Sequence, residues 1–103
     1  MAVTNQDCEQ ACRESLERFF GKHPDATMEQ RAVKALRFLA ACGKALPGKP
    51  DGWAAGIIYG LANRDRRACG VPGLLNSEVE AHFGVSMGTI RKRAAQIERQ
   101  LAL

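Results

Sequence analysis

Apolar positions along this chain fall into five runs, four at helical spacing and one nearly unbroken. Cys8, Cys12, Leu16, Phe19 and Phe20 trace one face of a first helix, with Glu9, Arg13, Glu14, Glu17 and Arg18 on its other faces. Thr4 with Asp7 three residues on predicts its cap, and Gly21 its stop. Pro24 disfavours helix through His23. Thr27 with Gln30 repeats the capping pattern for a second helix, whose buried stripe is Met28, Ala32, Ala35, Leu36 and Leu39, edged by Val33 and Cys42. Arg31, Lys34 and Arg37, three apart, are expected on its solvated side, and Gly43 is expected to end it. The third run, Asp51 to Arg64, leaves no polar face: Trp53, Ala54, Ala55, Ile57, Ile58, Tyr59, Leu61 and Ala62 surround it. A helix apolar all round belongs at the centre of a bundle. Gly56 and Gly60 each cost roughly 1 kcal/mol relative to Ala there, which predicts close approach of a neighbouring backbone. Trp53 and Tyr59 are expected in the core.

Residues Asn76 to Leu101 read as a short helix, a tight turn and a longer basic helix. Ser77 and Glu80 form a capping-box pattern, Val79 and Phe83 share a face, and Gly84 supplies the positive φ where the short helix stops. Val85 fills the gap between the two helices and Ser86 caps the second. Ile90, Ala94, Ile97 and Leu101 then make one apolar stripe, leaving Met87, Thr89, Arg91, Lys92 and Gln96 on other faces. This is a helix-turn-helix pattern. The expected architecture is therefore all-α, a single domain over residues 1–103 with five helices, the third central and a helix-turn-helix at 76–101.

Charge adds to this picture. The chain carries a net +4, unevenly placed: eight Lys/Arg against seven Asp/Glu over residues 1–62, seven against four from 63 onward. The surplus sits with the helix-turn-helix, which suits a polyanionic partner. Arg64, Arg66 and Arg67, in the connection before it, are candidate phosphate contacts.

The run PDGWAAGIIYGLANR, followed by LLNSEVEAHFGVSMGTIRKRAAQI, resembles the cyclin-like repeat of the archaeal and eukaryotic transcription factor B proteins. It is also similar to a small prokaryotic family of cyclin-like domains that ends in the same way. The resemblance covers Pro50 to Ile97 and implies a five-helix bundle with its third helix at the centre. It also implies a last helix that enters the major groove of double-stranded DNA, pointing to Ser86, Gly88, Thr89, Arg91 and Lys92. The end of the chain is similar, too, to region four of bacterial sigma factors. Arg93 and Gln96 complete the candidate set, Lys92 and Arg93 as phosphate contacts. Arg91 suits a bidentate contact to guanine, worth about 1–3 kcal/mol of discrimination. The sequence departs from the helix-turn-helix pattern at Glu80, where small side chains let the helices approach; the glutamate either swings outward or widens the crossing.

The alternative reading is a protein-docking module of cyclin-like fold that does not bind DNA. It is motivated by the modest charge, by Glu80, and by Leu101-Ala102-Leu103, which could pair with a protein partner or a second copy. Catalysis finds no support: His23 and His82 lie near no nucleophile or paired carboxylate at a telling spacing, and no GxxxxGK[ST] loop occurs. Cys8, Cys12, Cys42 and Cys69 lack the Cys-x-x-Cys spacing of a zinc knuckle and read as core, so neither metal nor cofactor is expected. No apolar run is long enough to span a bilayer and the first ten residues lack a signal-peptide pattern, so a cytoplasmic protein is expected.

Overall fold

The computed structural model describes residues 5–41, 48–65 and 74–100. Five helices occur among them: α1 (Asn5–Lys22), α2 (Ala26–Ala41), α3 (Pro50–Asp65), α4 (Asn76–Phe83) and α5 (Met87–Gln100). Expectations resting on Thr4, Cys42, Gly43, Arg66, Arg67, Cys69, Leu101 and the side chains of Asp7 and Arg64 lie outside the described residues.

Helix α3 is the hub, since α1, α2, α4 and α5 all pack against it. Its sequence requires this. Every residue from Gly52 to Ala62 is buried, and Ile57 and Ile58 are 1% and 0% exposed. Burying two such side chains contributes about 1.5–3 kcal/mol each, which outweighs the propensity lost at the helix's glycines. Pro50 opens α3 at the position where a missing N–H does no harm. Around the hub, the predicted stripes of α1 and α2 are buried as read, with Met28 at the margin. Cys8 and Cys12 are buried inside that core, and the Cys12 thiol donates to the Pro50 carbonyl at 3.3 Å. Burial pushes both thiols above their ordinary range, so neither is a ready nucleophile at neutral pH.

The structure departs from expectation at three helix ends and at one buried position. Helix α1 runs one residue past Gly21 to Lys22, and the His23 N–H still bonds the Phe19 carbonyl at 2.9 Å; Pro24, not the glycine, sets the limit. Helix α2 is capped by Asp25 instead of Thr27: Asp25 Oδ1 accepts from the Met28 N–H at 3.1 Å. An aspartate just before the helix both accepts that bond and places negative charge at the positive helix end. Helix α4 starts at Asn76, ahead of Ser77, because Glu78 bonds back to the Leu75 N–H at 3.0 Å. Leu75 offers no side-chain acceptor, so only the Glu78 half of a capping box is made. Finally, Met87 is 8% exposed and joins Ile90, Ala94 and Ile97 in the inward stripe, three residues ahead of Ile90.

Candidate functional site

The stretch from Glu80 to Gln100 is built around Gly84. Its φ of 68° lies in the left-handed region and its N–H bonds the Glu80 carbonyl at 2.8 Å, closing α4. Val85 packs half-buried against the core. Ser86 then caps α5 as its sequence predicts, its Oγ accepting from the Thr89 N–H at 3.2 Å while its carbonyl accepts from Ile90 at 3.0 Å.

Glu80 does not swing outward: it is half-buried. Its Oε2 accepts from the Met87 N–H at 2.6 Å, across the turn. With Glu78 already serving α4, Glu80 is left to satisfy a donor at the start of α5. Two helices are thus tied end to start by one carboxylate, and Val79, Phe83 and Ile90 are buried in the core.

The fit of α5 onto α3 follows from glycines spaced four apart. A Cβ at Gly56 would lie 2.7 Å from the Arg93 Cβ and 3.1 Å from the Ala94 N, so the α5 backbone rests directly on this position. The Arg93 side chain then runs along the same face of α3, past Gly52, with its tip at Gly48. Its guanidinium lies 4.6 Å over the Trp53 ring, and its Nη1 donates to Gln96 Oε1 at 3.0 Å. Such a cation–π contact contributes about 0.5–2 kcal/mol. Arg93 and Gln96 are therefore engaged with α3 and with each other.

The opposite face of α5 is open. Gly88, Lys92, Ala95 and Arg99 form its outer stripe, at i, i+4, i+7 and i+11, and all are exposed. Arg91 is exposed beside them, as is Ser86 at the helix entry, while Thr89 is half-buried on the flank toward α3. Gly88 and Ala95 leave room for a partner surface to approach the helix backbone; nothing but Ser86 Oγ comes within 4 Å of a Cβ at Gly88. The only acid exposed on α5 is Glu98. Of the residues singled out by sequence, the structure thus gathers Ser86, Gly88, Arg91 and Lys92 on one accessible side. Arg99 is an addition, legible as the next turn of that stripe.

Elsewhere, Phe19 is the centre of an aromatic cluster. It stacks on Phe83 at 5.5 Å and meets Phe20, His23 and His82 at 5.0–5.4 Å. Burial, with Lys22 and His23 nearby, holds His82 below the usual histidine range. Both predicted histidines are thus packing partners of phenylalanines. Among the described residues no group of three or more His, Cys, Asp or Glu gathers that could hold a metal ion, and no helix is long and apolar enough to cross a membrane.

These features define a small all-helical domain of five described helices, with one open basic helix face. Comparison with protein-family models, with curated proteins and with solved structures finds no match.

Proposed function

We propose that this chain is a DNA-binding transcriptional regulator in which α4 and α5 act as a helix-turn-helix, on a bundle of cyclin-like arrangement. The observation that carries the reading is the open outer side of α5, where Arg91, Lys92 and Arg99 face solvent around Gly88 and Ala95. A helix docked by this side presents its N-terminal turns to base edges of the major groove. Arg91 is assigned to a guanine, Ser86 and Thr89 to hydroxyl contacts with base or phosphate, and Lys92 and Arg99 to phosphates. Gln96 and the stem of Arg93 support the helix from behind, with the Arg93 guanidinium at the cleft beside Gly48. The arrangement favours binding over catalysis, since His23 and His82 are held among aromatic rings.

Titration against mixed-sequence duplexes, followed by selection of preferred sites, tests this. Affinity is expected to fall steeply with added salt, and Arg91→Ala to lose sequence preference while keeping residual binding. Affinity unchanged in Arg91→Ala/Lys92→Ala would remove α5 as the reader.

One observation favours the docking reading instead. Phe38 is 53% exposed on α2, on the side that carries Lys34 and Arg37. Self-association on a sizing column at moderate salt with nuclease present, abolished by Phe38→Glu, would support it over DNA binding.

A further inference from the structure

A cleft of about 350 Å³ lies between the first turn of α3 and the turn that enters α5. Its polar side chains are Lys49, Ser86, Thr89 and Arg93, and among the described residues no carboxylate lines it. Two of them are cations, and the Ser86 hydroxyl donates to Thr89 Oγ1 at 3.2 Å, which leaves the Thr89 hydroxyl proton to face the space. Two acids on adjoining elements are partnered, and one of them, Glu80, holds its charge at the start of α5. Asp51 faces Arg18 at 3.6 Å, and Glu80 is bonded to the Met87 N–H. Gly48, Gly52 and Gly84 supply the rest of the wall, so backbone rather than side chain borders much of the space. Positive φ at Gly48 (85°) and Gly84 (68°) favours glycine at both rims. Arg93 is pre-oriented here by Trp53 and Gln96, whereas Lys49 is exposed at the mouth. A planar guanidinium fixed from behind and a movable ammonium in front suit a tetrahedral oxyanion.

The cleft also adjoins the outer side of α5, sharing Ser86 and Thr89 with it. Under the DNA reading, a duplex lying on that side would pass its sugar–phosphate strand across the start of α5. We propose that this cleft seats one backbone phosphate of the bound duplex, held by Lys49, Ser86, Thr89 and Arg93; the proposal rests on the DNA reading above. Its role is to set register, because a phosphate contact positions the helix without reading sequence.

The test is the salt dependence of duplex affinity in the full chain, for wild type, Lys49→Gln and the remote control Lys34→Gln. Lys49→Gln is expected to weaken binding equally across sequences and to make the slope of log affinity against log salt about one unit shallower. Lys34→Gln is expected to change neither. Melting temperatures of the two variants should match wild type, since both lysines are exposed. A slope unchanged in Lys49→Gln, while Arg91→Ala loses sequence preference, would overturn the phosphate seat and leave the DNA reading intact. Wild type that ignores duplex DNA would overturn the DNA reading instead. Inorganic phosphate, followed by amide NMR shifts, then decides the cleft alone. Saturable shifts confined to Gly52, Gly84, Ser86 and Thr89 would uphold an anion site there, and their absence would overturn it.

Discussion

A methyl group at Gly56 and one at Gly60 would meet different surroundings, although both glycines lie on the side of α3 that carries α5. At Gly56 the new atom would sit 2.7 Å from the Arg93 Cβ and 3.2 Å from its carbonyl carbon, which can give way only if α5 moves. At Gly60 the nearest atom is the Ala94 Cβ at 3.8 Å, an ordinary contact. Gly56→Ala is therefore expected to destabilise the fold by about 1–3 kcal/mol, overpacking exceeding the propensity gain. Gly60→Ala is expected to be neutral or to stabilise by up to about 1 kcal/mol. Denaturant midpoints of the two variants check both signs at once. Glu80 is separable in the same way. Glu80→Ala removes the acceptor for Met87 and is expected to lose about 0.5–2 kcal/mol, the range of a lost N-cap. Glu80→Gln keeps a carbonyl oxygen there and removes a negative charge beside α5. It is expected to retain most of the stability and, under the proposed function, to bind duplex more tightly than wild type at low salt.

Among the elements, what was legible in the sequence was whatever depends on periodicity. The stripes of α1, α2 and α5 and the all-round burial of α3 follow from which positions carry apolar side chains, and burial energy enforces them. Helix starts were less legible because they depend on which of two polar side chains wins. SEVE offers carboxylates at 78 and 80, and the pattern Ser-x-x-Glu selects the second. The fold uses Glu78 for α4 because Glu80 is needed across the turn, a contact seven residues away that no local pattern encodes. Arg93 was illegible for a related reason. A charged residue in a basic run is read as outward-facing, and its inward path exists only because Gly52 and Gly56 clear a track on α3 and Gly48 leaves room just ahead of it. Within the candidate site, Arg91 and Lys92 could be placed outward from the sequence, whereas Lys49 joins the neighbourhood only through tertiary packing. The consequence is testable. Arg93→Ala should lower the melting temperature and Arg93→Lys should recover little, because a lysine ammonium lacks the planar face that lies over Trp53. Arg91→Ala, on the open side of the same helix, should leave melting unchanged within about 0.5 kcal/mol.

Across the whole molecule, acid is the condition expected to loosen the fold, and the reason is the cluster joining α1 to α4. His82 lies against Phe19 and Phe83, with the His23 ring 6.5 Å away and Lys22 and Arg18 contributing further positive charge. Asp51 acts in the opposite direction but is the smallest influence. The folded state therefore holds His82 below its ordinary value of 6.5, while the unfolded chain lets it titrate normally. As pH falls through about 6.5, the unfolded state takes up the proton first and stability declines; above that pH the group is neutral in both states and contributes no slope. Urea midpoints measured from pH 8 to 5 should therefore decrease on the acid side. In His82→Phe the acid-side decline should be smaller, leaving the share due to other groups. A wild-type profile flat between pH 7 and 5 would mean that the packed ring protonates as readily as a free one. The α1–α4 contact would then be more open than the ring distances indicate.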